Sequence, residues 1–395
     1  MQFIYNFAEC TLTFKPYLPM AVQIKIVTTR KELKEFATFA NRLYKGNAYY
    51  VPTMPLDEMN TLDKKKNGAF EFCEADYFLA YKDGKPAGRI AAILNKRAND
   101  AWKVNQVRFG WIDFIDDYEV SEALINTVIE WGKARGMDRI AGPLGFTDFD
   151  PEGMLVEGFD RLGTMAMIYN HPYYMVHMEK LGMVKEVDWL EYRLRIPDEL
   201  PERFIKISEI VKDRYKLRIR KLTRKELNRE NYGRKFFNLI NETYCNLYGF
   251  SLLSEKQIDQ YVKFYLGVID LRMVSFVENE EGELVAAGVS MPSLSKALQK
   301  CGGNIFPFGW WYLLKNMYIK KPDTLDLLLV GVKPEYQNKG VNTLLFTDLF
   351  YTFKQMGFKY SESSAELETN IKIHQMWSLF DREQHKRRRV YTKEI

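Results

Sequence analysis

Residues 327–346 read LLLVGVKPEYQNKGVNTLLF, from Leu327 to Phe346, and the order of elements in this stretch decides the fold. The apolar run LDLLLVGV (325–332) is a buried strand, and Pro334 prevents it from continuing inside a sheet. A short polar turn, Glu335 to Lys339, brings the chain to Gly340 at the start of a helix predicted over 338–356 and closed by Gly357. Such a strand–turn–helix leaves several backbone N–H groups unpaired at the helix N-terminus. With the helix dipole they form an anion site suited to a pyrophosphate. Gly340 permits close backbone approach, and Lys339 adds a point charge. A Walker A loop is excluded because no Gly-Lys-Ser/Thr is present, and a dinucleotide fingerprint because there is only one glycine. An ordinary turn into a helix that binds nothing is the competing reading.

Outward from this segment the chain repeats itself. DYFLAYKDGKPAGRIAAIL (76–94) and RMVSFVENEEGELVAAGVSM (272–291) both read as strand, turn, strand. The glycines after the two turns, Gly88 and Gly288, are 200 residues apart, as are Asn170 and Asn370, each of which precedes an amphipathic helix. The first half runs helix 30–43, hairpin, strand 107–115, helix 118–135 and strand 138–142. The second runs helix 224–247, hairpin, strand 325–332, helix 338–356 and strand 359–366. Residues 196–223 form the joint, with PDELPERF starting a connecting helix and KLRIRKL a strand. The predicted fold class is α/β, with two tandem domains, each a mixed, mostly antiparallel sheet flanked by helices. The division expected is an extension at 1–20, a first domain at 21–195, a connecting segment at 196–223 and a second domain at 224–395.

A chain of 395 residues with 46% apolar and 28% charged side chains is globular and long enough for two cores. Its 57 basic against 52 acidic residues leave too small an excess to argue for nucleic acid. Cys10, Cys73, Cys245 and Cys301 lie far apart and no histidine stands at ligand spacing from them, which argues against a metal site or a disulfide framework and for reduced, cytoplasmic thiols. No apolar run is long enough to span a bilayer.

The segment around Pro334 resembles motif A of the GNAT acyltransferase superfamily, V-x-P-x-x-Q/R-x-x-G-x-G/A. Val332, Pro334, Gln337 and Gly340 match, and Asn342 stands at the last small position. The resemblance implies acyl-CoA as co-substrate. The amides of Gln337, Asn338, Lys339, Gly340, Val341 and Asn342 would hold its pyrophosphate, and the strand edge at Val330 and Val332 would hold its pantetheine. Motif B of the superfamily is also present in outline: Asn370 matches its leading asparagine and Met376 its leucine. Trp377 replaces the tyrosine that would protonate the departing thiolate, and an indole N–H is a poor acid. Tyr391 and His374 are the substitutes by residue type. The base that an ammonium acceptor requires points to Glu362 or Glu366 on the strand before motif B, sharing a face by alternation, with Glu368 and Asp326 as further carboxylates.

At the motif A position the first half reads DFIDDYEV, where Asp116, Asp117 and Glu119 would repel phosphate and serve as helix caps, so this half is expected to lack CoA. Its long stretch Gly142–Tyr174, punctuated by Gly and Pro, has the character of a binding wall or lid. GRIAAILN, FGWIDFIDD, GPLGF, GMLVEGFD and YNHPYY resemble bacterial tandem GNAT-like proteins that include ceramide-synthase-type enzymes, which implies a long acyl chain and a sphingoid amine. The insertion 291–322, with NIFPFGWWYLLKNMYIKK, suits a membrane-facing helix touching the bilayer through 304–320, an acyl-tunnel wall, or a core helix covering the sheet. HKRRRVY (385–391) reads as a headgroup site or a charged strand edge. A catalytically inactive scaffold that binds a ligand or partner is the alternative to an N-acyltransferase. An aminoacyl-tRNA-dependent transferase is a third reading, disfavoured by the charge. Oligomeric state is not legible.

Overall fold

The computed structural model describes residues 21–320 and 322–395. The expectations for residues 1–20, Cys10 included, and for Lys321 lie outside the described residues.

The repeat is realised as two pseudo-equivalent halves. In the first, β1 (Gln23–Ile26), β2 (Cys73–Lys82), β3 (Lys85–Asn95), β4 (Gln106–Phe114), β5 (Arg139–Gly142) and β6 (Met154–Glu157) are followed by β7 (Val184–Arg195). The second contributes β8 (Arg218–Arg220), β9 (Val274–Glu278), β10 (Leu284–Pro292), β11 (Thr324–Val332), β12 (Tyr360–Glu362), β13 (Glu366–Leu367) and β14 (Arg382–Glu394). Gly88 and Gly288 do the same work in both halves. A Cβ at Gly88 would lie 2.7 Å from Leu124 of the helix Tyr118–Lys133, and one at Gly288 would lie 3.1 Å from Leu349 of the helix Val341–Gln355. Each glycine lets its helix settle onto the hairpin.

The sheet does not divide at residue 195. It runs continuously in the order β1-β2-β3-β4-β5-β14-β7-β12-β11-β10-β9-β8. The last strand of the first half, β7, lies between β12 and β14. The last strand of the second half, β14, lies between β5 and β7, with Tyr391 opposite Gly142 and Val390 opposite Val187. Each half therefore completes the other's sheet, and 21–195 and 224–395 are repeats in sequence but not separate bodies.

Several elements differ from expectation. Helix 30–43 is interrupted at Thr38, and helix 224–247 at Asn231, which takes a left-handed φ of 54°. The strand expected at 359–366 breaks into β12 and β13, so alternation does not carry across it. The basic run HKRRRVY is neither a sheet edge nor a headgroup site. It lies in the central strand β14, where Arg388 and Lys386 pair with the fully buried Glu191, and Arg387 and Arg389 with Asp188. Burial alone would raise the Glu191 carboxyl, but Arg388 and Lys386 hold it down at about 2. The segment 304–320 is not a core helix: Phe306 and Phe308 are 76% and 71% exposed.

Candidate active site between the two halves

Strand β11 shapes the site. Val289 and Ser290 of β10 face Leu329 and Leu327, leaving Leu328 without a partner, and this bulge bends β11. On its other side β11 pairs with β12 only at Thr324–Asp326, after which the two parallel strands separate. Beyond Asp326 the edge of β11 is open. The carbonyls of Val330 and Val332 turn towards that edge: the Tyr244 hydroxyl donates to the first at 3.1 Å and the Gln337 side-chain amide to the second at 3.1 Å. A strand residue directs its N–H to the same side as its C=O, so the N–H groups of Val330 and Val332 face the cleft.

At the end of β11 the turn Pro334–Tyr336 delivers the chain to Gly340, whose φ of 80° is left-handed. The N–H of Gln337 is consumed by the turn, donating to Lys333 and Pro334 carbonyls, so this one member of the expected amide cradle is corrected. Among the described residues, the amides of Asn338, Lys339, Gly340, Val341 and Asn342 donate to no backbone carbonyl. The Asn342 side chain turns away towards Met376, with Nδ2 at 3.0 Å from Sδ, and leaves the helix start clear. The Lys339 ammonium lies over the rings of Tyr215 and Tyr336 beside the same turn. These groups fit a diphosphate: free donors, a dipole and a nearby cation.

The cleft opens into a cavity of about 400 Å³. Its walls are mostly aliphatic and aromatic, drawn from the helices Tyr232–Tyr244 and Glu255–Val268 and from strand residues 327–330. Among the described residues, five carboxylates line it, Asp148, Asp150, Glu152, Asp326 and Glu366, and no Lys, Arg or His does. Burial pushes Asp148 up to about 6 and Asp150 to about 7, and raises Glu152 well above the usual range. Asp326 is pushed to about 7 by burial and by neighbouring Glu362, and its Oδ1 has no hydrogen-bond partner.

Of the expected catalytic residues, the structure brings Glu366 into the cavity together with Val330 and Asn370. The Trp377 indole N–H donates to Glu366 Oε1 at 2.7 Å, while Oε2 is unpartnered, 3.6 Å from His374 Nδ1. Burial raises the Glu366 carboxyl to about 8. Glu362 is not in the cavity lining. It lies 2.8 Å from His385 and 3.4 Å from Lys386, and these pairings bring it below its usual value against the effect of burial. Tyr391 is elsewhere again, packed into the core of the first half among Val128, Trp131 and Met183. Glu368 pairs with Lys185.

In the first half the equivalent cleft is closed. β4 and β5 also separate after three paired residues, but the chain turns into the gap, with the Leu144 N–H donating to the Phe109 carbonyl at 2.9 Å. A Cβ at Gly142 would meet the Phe109 carbonyl at 2.2 Å and one at Gly110 the Leu144 carbonyl at 2.5 Å. The segment that plugs this cleft continues into Thr147–Glu152 and presents Asp148, Asp150 and Glu152 to the cavity of the second half. Sequence reasoning singled out 142–174 as a wall but missed these acids. Their spacing, every second residue in TDFDPEG, was the available signal.

A splayed parallel strand pair, a bulge in the longer strand and an amide-lined helix start make this a GNAT fold, present in tandem. No family model matches the chain. It is similar to a tandem GNAT protein from the clavulanic acid biosynthesis pathway, solved without AcCoA, with a TM-score of 0.53 and 12% identity over 94% of this chain and 98% of that one. Among curated proteins it is 26% identical over 383 residues to Protein YghO of Escherichia coli (strain K12), covering 94% of this chain and 95% of that protein. It is also 26% identical over 378 residues to the bacterial ceramide synthase of Caulobacter vibrioides (strain NA1000 / CB15N), covering 93% and 96%. Among the described residues no group of His, Cys, Asp or Glu is placed to hold a metal ion, and no helix is long and apolar enough to cross a membrane.

Proposed function

We propose that the chain is an acyl-CoA-dependent N-acyltransferase that acts on a lipophilic primary amine. The observation that carries this reading is the open edge of β11 beyond Asp326, running from the free amides of 338–342 into a cavity walled by hydrocarbon and carboxylates. Acyl-CoA would supply the activated thioester. The amides from Asn338 to Asn342 and Lys339 would hold its diphosphate, and the N–H groups of Val330 and Val332 its pantetheine and the thioester carbonyl. An alkylammonium suits a cavity lined, among the described residues, by five acids and no base, with the hydrocarbon walls taking its chain. Glu366, held at Oε1 by Trp377, keeps Oε2 free to take the proton of the acceptor's ammonium before the nitrogen attacks. Trp377 positions that carboxyl and does not itself donate the proton to sulfur. Asp148, Asp150 and Glu152, delivered by the half that lacks CoA, would face the acceptor.

The ceramide synthase relative supports the refinement to a long-chain acyl group and a sphingoid-type amine. We place the protein in the cytoplasm, with peripheral contact at the inner membrane face through 304–320. An inactive binding scaffold is the weaker reading, because the departures that favour it have local explanations: Asn342 turns aside and Trp377 anchors a cavity carboxyl. The test is calorimetry with CoA. Gly340→Glu places a side chain at a left-handed φ of 80°, with its Cβ 3.1 Å from Val211 and 3.3 Å from Ile207, and so distorts the helix start that would hold the diphosphate. It is expected to abolish binding while far-UV circular dichroism retains the parent's helix and strand content; undiminished affinity in the folded variant overturns the assignment.

A further inference from the structure

Residues 306–319 leave an apolar surface uncovered. Phe306, Phe308, Ile319, Tyr318, Trp311 and Trp310 are 76%, 71%, 65%, 54%, 47% and 43% exposed. Scattered exposed side chains are ordinary, but this many large ones in fourteen residues form a patch. The segment is nevertheless held in place. The Gln299 side-chain amide donates to the Ala48 and Tyr50 carbonyls at 2.9 Å each, and a Cβ on Gly303 would stand 2.0 Å from the Thr53 carbonyl, so the chain before the patch is seated on the first half. Leu313 and Met317 point inward, into an apolar cluster with Leu162, Met165 and Leu328.

The segment that carries the patch has charge of one sign along the chain. From Leu284 to Pro322 the sequence contains no Asp or Glu. Lys296, Lys300, Lys315 and Lys320 are exposed, and none takes part in the ion pairs found among the described residues. Tryptophan and tyrosine with unpaired lysines beside them is the composition of a surface that sits at the headgroup level of a bilayer, rings in the interface and ammonium groups on anionic lipid.

The same segment borders the cavity. Met165 and Leu328, which belong to the same apolar cluster as Leu313 and Met317, are themselves cavity-lining residues, so this cluster joins the segment that carries the exposed aromatics to the wall of the site. We propose that 306–319 is a docking surface for an anionic bilayer, and that it sets the enzyme down so that a membrane-dissolved amine enters the cavity past Leu313 and Met317. The docking stands on the surface itself; the loading route rests on the N-acyltransferase reading.

The experiment is co-sedimentation of the full chain with sucrose-loaded vesicles of phosphatidylglycerol and phosphatidylcholine, and with vesicles of phosphatidylcholine alone, at low and high salt. The parent protein is expected to sediment with the anionic vesicles and to be released by salt. Lys315→Gln with Lys320→Gln should weaken partitioning by about fivefold per lysine at low salt. Phe306→Ser with Phe308→Ser and Trp311→Ser should weaken it by about tenfold or more, with the cooperative thermal transition retained because Phe306 and Phe308 are largely in solvent and Trp311 is half exposed. Failure of the parent to bind anionic vesicles, or binding undisturbed in the triple variant, overturns the docking. So does a concentration-dependent dimer in sedimentation equilibrium that the triple variant abolishes, which would assign the patch to a second copy. For the loading route, turnover of a vesicle-borne long-chain amine should fall in the triple variant while turnover of a water-soluble short-chain amine does not. Equal loss on both amines overturns the route, and absence of turnover on either in the parent counts against the acyltransferase reading and leaves the vesicle result intact.

Discussion

Glu366 is the residue whose surroundings most constrain the chemistry. A carboxyl in a largely apolar cavity, held by one indole N–H and with a free second oxygen, keeps its proton to about pH 8. Acting as base it must be ionised, so kcat/KM is expected to rise with pH through a limb near 8, and Glu366→Gln should remove that limb and lower kcat by about 10²-fold or more. A variant that keeps both the rate and the limb assigns the proton transfer to another group. The raised value also costs stability: the folded state holds this proton more tightly than the unfolded chain, so the contribution is unfavourable above the ordinary carboxylate value of 4.5 and grows until pH passes about 8. Asn342 carries a second expectation at this scale. Because its amide is spent on Met376 and its side chain lies off the helix start, Asn342→Gly should change CoA affinity by less than about threefold. A large gain in calorimetry would mean that the side chain obstructs the diphosphate.

At the level of elements, the exchange of β7 and β14 explains why a strand rich in Lys and Arg can be central. Lys386 stands opposite Glu191 and Arg389 opposite Asp188, while Arg388 and Arg387 reach the same two carboxylates diagonally, so charges that would be prohibitive alone form cross-strand pairs. Removing one partner leaves its cations buried and unmatched. Glu191→Ala is therefore expected to destabilise by about 3–5 kcal/mol in denaturant titration, whereas a variant that loses less than about 1 kcal/mol would mean that water reaches the pair. The sign of the pH dependence follows from a depressed carboxyl. The Glu191 contribution is present above its unfolded value of 4.5 and is lost as pH falls towards about 2, so the parent should lose stability across that window more steeply than Glu191→Ala.

For the molecule as a whole, the exchange predicts that neither half folds alone. A fragment ending at 195 lacks β14 and exposes the edge of β5, and a fragment beginning at 196 lacks β7 and parts β12 from β14. Each fragment expressed singly should be unfolded or aggregated, with co-expression restoring a soluble complex; a cooperative thermal transition from residues 21–195 alone would show that the first half is self-sufficient. The sheet runs on across residue 195, whereas a division there is what the repeat alone implies, because local patterning reports which elements form and in what order. It could not report that the terminal strands trade places, since both are amphipathic strands that either sheet would accept. For the same reason the strand–turn–helix at Leu327–Phe346 and the acid-capped helix start at Asp117 are legible: each depends on residues close together in the chain. The cavity was not, because its wall joins Asp148, Asp150 and Glu152 to Asp326 and Glu366, which lie far from them in the chain and meet only through packing. Burial and ion pairing also separated Glu366 from Glu362, four residues apart and alike in sequence. Local residue order dictates the elements, their repeat and the motif at the helix start, whereas which strand completes which half and which carboxylates line one cavity follow from packing, because those outcomes depend on desolvation and on contact between residues far apart in the chain.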